Sequence, residues 1–283
     1  NYDGLETLPD GEFLPAWEMN DVEKVMAGRI NAAYSDRRVI QGRCAHLTQP
    51  KPVHNELGRG QCQARNLCYR GCPFGAYFSS NSATLPAAAR TGNLTLRPHS
   101  VVESVLYDEA TGRAKGVRVV DALTKQSTEY FARIVFVNAA CLNTNLILLN
   151  SKSARFPAGL GNDHGLMGRY LAFHNYRGII NAAMEGFADS YYAGRRPTQV
   201  MMPNFRNVRK QEMDFQRGYM VFFSASRGGW SQGNGAPGIG AEFKERITRP
   251  GPWHIFMMMQ GETVPRFENH VRLAADRRDA WGV

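Results

Sequence analysis

The spacing of apolar residues between positions 94 and 149 restricts the fold more than any other pattern in this chain. Apolar and polar residues alternate over 94–107 and again over 116–121, with the period of two that is typical of β-strands. The turn-forming runs 108–112 and 123–126 follow these two strands, and a third strand is predicted over 128–137. The segment therefore indicates consecutive strands joined by tight turns.

The third predicted strand ends in the apolar run 133–140, RIVFVNAA. A continuous apolar run is typical of a strand buried on both faces of a sheet, and residues 142–149 continue as a predicted helix. In nucleotide-binding α/β folds the ligand approaches the loop after such a strand. The small residues Ala139 and Ala140 would let a dinucleotide come close there. The alternative is that they serve close packing between strand and helix.

The remaining segments predict a second layer of structure. Asn20 is a plausible N-cap, because acidic residues follow it and apolar residues then recur at helical spacing up to Ile30. Residues 82–90 predict a short helix. Beyond position 176, aromatic strand-like stretches such as 219–223 and 253–259 alternate with loops rich in Gly and Pro. This alternation predicts an antiparallel sheet.

Three of the five cysteines, Cys62, Cys68 and Cys72, lie within eleven residues, and Cys72 is followed by Pro. Core packing alone does not explain so tight a group. A Cys-Pro step that closes such a loop is familiar from iron–sulfur sites, and three thiolates would suit a three-iron cluster. The alternatives are a disulfide or a tight loop with inert buried thiols. Cys44 and Cys141 stand apart in the sequence.

The formal net charge of +9 raises the question of nucleic-acid binding. The 34 Lys and Arg residues are scattered and form no stripe interleaved with aromatic residues, so we expect no nucleic-acid partner. No apolar run approaches the roughly 18–20 residues of a membrane span. The chain starts with Asn1 rather than Met and shows no signal peptide, which predicts a processed or partial chain.

Residues 233–238, GNGAPG, match the dinucleotide-binding pattern G-x-G-x-x-G letter for letter. That pattern holds a pyrophosphate only between a buried strand and the first turn of a helix. Pro237 and Gly240 argue against a following helix, so the segment is predicted to be a surface loop.

Taken in order, several segments resemble the glucose-methanol-choline (GMC) oxidoreductases, flavoproteins that oxidise alcohols. The closest resemblance is to the bacterial branch of sugar, polyol and gluconate dehydrogenases. The segments that carry it are 71–80, 91–98, 102–105, 116–119, 136–140, 146–151 and 161–174, followed by 269–273 and 279–282.

The resemblance implies a fold class of α/β plus α+β. Residues 1–80 would form a substrate or lid region with the cysteine loop. Residues 81–176 would be part of a Rossmann-like FAD-binding domain with a three-stranded meander, and residues 177–283 an antiparallel-sheet substrate domain. Val102 would contact the adenine end of FAD through its backbone, and Ala139 and Ala140 would lie against the FAD phosphates or ribose. Cys62, Cys68 and Cys72 would hold a [3Fe-4S] cluster.

The resemblance also implies segments that residues 1–283 do not contain. Members of the family begin with a strand, glycine-rich turn and helix that hold the ADP part of FAD. They end with a catalytic His and a second His or Asn, so the catalytic residues are expected beyond residue 283. We therefore expect the isolated chain to be inactive.

The function expected from the resemblance is FAD-dependent oxidation of a CH–OH group in a sugar, polyol or related alcohol. Electrons would pass to an acceptor other than O₂, such as a cytochrome or a small subunit. One alternative is a GMC-type oxidase that uses O₂ and has structural cysteines. Another is a non-catalytic iron–sulfur or zinc electron-transfer module. The expected location is the bacterial cytoplasm or periplasm, and a partner subunit would provide any membrane association.

Overall fold

The computed structural model describes residues 12–65, 68–190, 199–228, 233 and 235–283. Its helices are α1 (Asp21–Ala33), α2 (Pro52–Glu56), α3 (Thr84–Arg90), α4 (Ala140–Asn150) and α5 (Gly240–Thr248). Its strands are β1 (Ile40–Gln41), β2 (Ser100–Asp108), β3 (Arg113–Asp121), β4 (Ser127–Phe131), β5 (His174–Asn175), β6 (Ile179–Met184), β7 (Val200–Met202), β8 (Met220–Arg227) and β9 (Trp253–Glu262).

Two compact units divide the chain, and each is built from separate stretches of sequence. The first unit comprises residues 1–94 and 174–262, and the second comprises 95–173 and 263–283. The functional domain boundaries that the resemblance implies, at about 80 and 176, stay a prediction. None of the described helices combines the length and the apolar character needed to cross a membrane.

The first unit contains a six-stranded antiparallel sheet with the order β1-β7-β8-β9-β5, in which β6 also pairs with β9. The long strand β9 is the centre of this layer, since it pairs with β8 along one edge and with β5 and β6 along the other. The aromatic stretches at 219–223 and 253–259 lie in or beside β8 and β9. The predicted antiparallel sheet is therefore confirmed.

Helix α1 covers one face of this sheet. Its apolar side places Val22 and Ala27 against Phe223, Ala225 and residues of the neighbouring strands, all deeply buried. Asn20 begins the helix as expected. Its side chain accepts a hydrogen bond from the Glu23 amide at 2.9 Å and donates one to the Ala225 carbonyl at 2.9 Å. One residue thus caps the helix and fixes it to β8.

The second unit contains the three-stranded antiparallel sheet β2-β3-β4, in which each strand pairs with the next along the chain. Helix α4 packs on β2. The predicted strands at 94–107 and 116–121 and the predicted helix at 142–149 correspond to β2, β3 and α4, with their ends shifted by a few residues.

The prediction of a buried strand through residues 133–137 is wrong for this structure. Strand β4 ends at Phe131, and the side chains of Ile134 and Phe136 are 70% and 80% exposed. The sequence has strand character, but no strand among the described residues pairs with it. Residues 133–137 have the apolar pattern of a central strand, but a central strand forms only where it can pair with a strand on each side.

The interpretation of the glycine motif at 233–238 is corrected in one respect. Helix α5 does begin at Gly240, so the argument that Pro237 and Gly240 exclude a following helix is wrong. Glycine with φ +85° adopts the conformation at this first position without a steric cost. Residues 229–232 and 234, which include the segment before the motif, lie outside the described residues.

Candidate cofactor cleft and cysteine loop

An apolar cleft of about 340 Å³ lies in the second unit. It brings together Val102 and Ala139, two of the three residues predicted to contact FAD, which are far apart in sequence. Ala140 does not line the cleft and starts helix α4 instead. The lining residues are Val102, Gly116, Val117, Tyr130, Phe131, Ala132, Ile134, Val135, Phe136, Val137, Asn138, Ala139 and Ile147.

A β-bulge and a buried hydroxyl fix the position of Val102. Val102 pairs with Val119 and Ser104 with Arg118, so β2 carries one extra residue at this point. Such a bulge changes the direction of a strand and re-aims its side chains. Directly after it, the Val105 amide donates a 2.7 Å hydrogen bond to the Ser151 hydroxyl, which donates at 2.6 Å to the Ile147 carbonyl. Ser151 thereby joins β2 to the end of α4.

The first turn of α4 is suited to a phosphate group. Its N-cap residue, Ala139, makes no side-chain capping hydrogen bond. The first amides of a helix point away from it and carry partial positive charge, which is the arrangement that binds pyrophosphates in dinucleotide-binding folds. The small side chains of Ala139 and Ala140 leave the approach open. The residues present therefore fit the phosphate-bearing part of FAD.

Ala140 adopts an unusual backbone conformation, with φ at +59°. For a residue with a Cβ atom this left-handed region costs roughly 1–2 kcal/mol, whereas glycine adopts it freely. The sequence pattern of small residues gave no indication of this strain.

The cysteine loop lies in the first unit and is held by backbone hydrogen bonds to a neighbouring extended segment. Residues 45–47 run beside 76–78, with Leu47 N–H donating to the Ala76 carbonyl at 3.0 Å. The Cys62 amide donates to the Leu47 carbonyl at 2.8 Å, so the same segment also contacts the start of the loop. The loop is therefore anchored at both ends.

The three predicted metal ligands have different surroundings. Cys62 is buried with Leu47 and Ala76 in an apolar cluster, and Cys72 packs partly against that cluster. Cys68 contacts the buried His46, whose Nε2 atom lies 3.7 Å from the Cys68 sulfur. All five cysteines are free thiols in this structure, so the disulfide alternative is not observed.

His46 also contacts Cys44, whose sulfur lies 3.7 Å from the same Nε2 atom. The sequence alone did not indicate Cys44 and His46 as candidate site residues, because Cys44 lies apart from the three clustered cysteines. The available indication was the spacing Cys44-Ala-His46, because alternate residues of an extended segment share a face. Residues 45–47 pair with residues 76–78, which follow the cysteine loop, and His46 thereby lies close to Cys68.

The thiols of Cys68 and Cys72 differ in acidity. Burial raises the pKa of Cys68, and the neighbouring thiols, first that of Cys72, raise it further. Burial also opposes ionisation of Cys72, but backbone amides at 74–77 donate hydrogen bonds that together hold its pKa below the ordinary value. Cys72 is therefore more readily present as the thiolate, the form that binds metals.

The sulfurs do not present a preassembled metal centre. Across the described residues, no three His, Cys, Asp or Glu side chains are grouped closely enough to hold a metal ion. As they stand, Cys62, Cys68 and Cys72 do not fit an iron–sulfur cluster.

Comparison with known proteins identifies the class and then the family. Residues 18–175 match the family described as GMC oxidoreductase, so the chain is part of an oxidoreductase. Because the match covers more than half of the 283 residues, the chain belongs to the GMC oxidoreductase family, which binds FAD.

Sequence identity to individual relatives is low. The chain is 28% identical over 219 residues to a 2-methyl-1,2-propanediol dehydrogenase of Mycolicibacterium austroafricanum, a match that covers 75% of this chain and 39% of the relative. It is 28% identical over 232 residues to the fructose dehydrogenase large subunit of Gluconobacter japonicus, covering 80% and 40%. A third match, 30% identical over 138 residues, is to a 6'''-hydroxyparomomycin C oxidase of Streptomyces lividus, covering 47% and 25%. The chain thus spans about two fifths of the length of the first two relatives.

Replacing Ala140 with Gly should stabilise the protein. Glycine removes the cost of the left-handed conformation, and we expect the free energy of unfolding to rise by about 1 kcal/mol in urea titrations. Ala139→Gly is the matched control, because Ala139 has an ordinary φ of −95° and gains nothing. Destabilisation of Ala140→Gly to the same extent as the control would contradict the conformation described here.

Proposed function

We propose that the protein containing this chain is an FAD-dependent oxidoreductase that oxidises a CH–OH group of a sugar, polyol or related alcohol. The observation that carries the proposal is the cleft that joins Val102 on β2 to Ala139 at the start of α4. Family membership supports the cofactor, and the cleft supports the proposed position of part of it.

Within this proposal, the Val102 backbone binds the adenine end of FAD, and the first turn of α4 at Ala139 and Ala140 faces the phosphates or ribose. Bound FAD would supply the hydride acceptor, at its N5 atom. No residue of 1–283 is proposed as the base that takes the hydroxyl proton. That role is assigned to residues beyond position 283.

The names of the relatives support the substrate class. A diol dehydrogenase, a fructose dehydrogenase subunit and an aminoglycoside oxidase share oxygen-rich substrates with several hydroxyl groups. We propose a substrate of this kind.

For the electron acceptor, we propose a molecule other than O₂. The two relatives that this chain covers most extensively are named dehydrogenases, and the shorter matches are named oxidases. The rival is therefore a GMC-type oxidase. The name of the fructose dehydrogenase large subunit supports a partner, such as a cytochrome or a small subunit. For the location, we propose the bacterial cytoplasm or periplasm, where that partner would provide any membrane association.

For the cysteine loop, we propose a [3Fe-4S] cluster on Cys62, Cys68 and Cys72. Its support is the closeness of the three cysteines in sequence and the lowered pKa of Cys72. Because the sulfurs are not grouped for metal binding, the loop would have to rearrange, and Cys62 would have to leave its apolar surroundings. The rival is that these thiols are structural.

The acceptor is tested on the intact protein by stopped-flow absorption. The flavin is first reduced without oxygen by a sugar or a 1,2-diol, and then mixed either with air-saturated buffer or with a quinone. We expect rapid reoxidation by the quinone and slow reoxidation by O₂. Reoxidation by O₂ at the rate of steady-state turnover would establish the oxidase instead. Failure of every alcohol to reduce bound flavin would contradict the substrate class.

The cluster is tested by iron analysis and electron paramagnetic resonance of the intact protein. We expect about three irons per chain, as a three-iron cluster requires. Cys68→Ser and Cys72→Ser should lose most of the iron and the resonance signal, while the control Cys141→Ser, at an exposed cysteine far from the loop in sequence, should retain both. Wild-type protein with bound flavin but no iron would assign the loop a structural role.

A further inference from the structure

A second pocket in the same unit, also of about 340 Å³, has a strongly cationic lining. Lys152, Arg169 and Arg272 contribute the positive charge, His270 adds an imidazole, and no Asp or Glu lines the pocket. The other lining residues are Leu149, Ala158, Asn162, Gly165, Met167, Val271 and Leu273. Several cations that share one concavity repel each other, and this repulsion is relieved when an anion enters.

Within the described part of the chain, these cations lack acidic partners. Lys152, Arg169 and Arg272 form none of the observed salt bridges. Asp163 follows the lining residue Asn162 in sequence, but its carboxylate forms an ion pair with Arg155 and not with a cation of the pocket. The positive charge of the pocket is therefore not neutralised by these side chains.

The pocket has walls of fixed geometry. Residues 168–171 run antiparallel to 269–271, with the Val271 amide donating to the Gly168 carbonyl at 2.9 Å. A Cβ atom on Gly168 would lie 2.4 Å from the Val271 carbonyl oxygen, so only glycine allows the two strands of chain to approach this closely. The opposite wall is formed by the end of α4 with Ala158, where Gly159 lies against Leu149 in the same way.

Arg169 is held in place before any ligand binds. Its guanidinium lies 4.1 Å from the centre of the Phe267 ring and donates to the Phe267 carbonyl at 3.4 Å. His270 is also fixed, because its Nδ1 atom lies 2.7 Å from the Glu268 carbonyl oxygen and donates to it. Side chains held by such contacts lose little conformational entropy when a ligand binds.

This pocket is distinct from the proposed cofactor cleft. The two share no lining residue, although the cleft reaches Ile147 and the pocket reaches Leu149 on the same helix. The first turn of α4, where the cofactor phosphates are proposed, and its last turn, beside the pocket, lie about 16 Å apart along this 11-residue helix. Because the cofactor phosphates are proposed at the first turn, they do not account for the cations at the last.

We propose that this pocket binds a dianionic phosphate group, either as inorganic phosphate or at the end of a small organic phosphate. Two guanidinium groups with an ammonium group match the charge and the several acceptor oxygens of phosphate. The volume lies at the lower end of the range for small-molecule pockets, about 300–1,000 Å³, so a small organic phosphate can enter as well as the bare ion. A polynucleotide is not favoured, since the cationic residues line a single small concavity.

The test is isothermal titration of the intact protein with inorganic phosphate and with glycerol 3-phosphate, at fixed ionic strength maintained with chloride. We expect saturable binding of one phosphate per chain. Lys152→Gln and Arg272→Gln should each weaken binding about tenfold or more, as expected for loss of one charge-assisted hydrogen bond. Tighter binding of glycerol 3-phosphate than of phosphate would identify an organic ligand, and equal binding would identify the ion alone.

The matched control is Lys115→Gln, which removes one exposed positive charge from β3 of the same unit, outside the pocket. Its phosphate affinity should equal that of the wild type, and ligand-free melting temperatures should show that all three variants fold. Absence of saturable binding by the wild type would overturn the proposal. So would equal affinities in all variants, equal weakening by Lys115→Gln, or binding of succinate in preference to phosphate.

Discussion

The buried hydroxyl of Ser151 holds together the part of the molecule on which the proposed cofactor site depends. It accepts from the Val105 amide of β2 and donates to the Ile147 carbonyl of α4. A buried amide without a partner costs roughly 1–3 kcal/mol, and the Ser151 hydroxyl gives the Val105 amide its partner. The two elements it joins carry Val102 and Ala139, the two predicted FAD contacts that line one cleft.

The same helix explains why one small unit can offer two chemically different sites. The first turn of α4 presents uncapped amides beside an apolar cleft, and its last turn contributes to a pocket lined by Lys and Arg side chains. The helix dipole favours anions at the first turn, whereas the second pocket relies on side-chain charge. The proposed FAD site and the proposed phosphate site therefore use different sources of positive potential.

Local patterns in the sequence predicted much of the fold. The alternation around Val102 predicted β2, and Asn20 predicted the start of α1, since each depends on neighbouring residues alone. The apolar run at Ile134 and Phe136 led to a wrong prediction, because a strand also requires partners, and the described residues supply none for it. The period of the apolar residues predicts which secondary structure a segment can form, and pairing with other strands determines whether a strand forms.

The candidate sites depend even more on contacts between segments that are distant in sequence, which local patterns do not reveal. The small residue Ala139 indicated a possible approach for a dinucleotide, but its position beside Val102 depends on a bulge and on Ser151, which spacing does not reveal. The contacts of His46 with Cys44 and Cys68 arise from pairing between distant segments. The resemblance predicted a cluster on the cysteine loop. In the structure the three thiols lie in different surroundings and are not grouped around a metal position.

The proposed position of FAD depends on the cleft between Val102 and Ala139. The most direct test is the FAD content of the intact protein carrying Ala139→Phe, measured by flavin absorbance per chain, with Ala110→Phe in the exposed β2–β3 turn as the control. Circular dichroism should show that both variants fold. We expect Ala139→Phe to lose most of its FAD, whereas Ala110→Phe should retain the wild-type amount. A folded Ala139→Phe protein with undiminished FAD would contradict the proposed position.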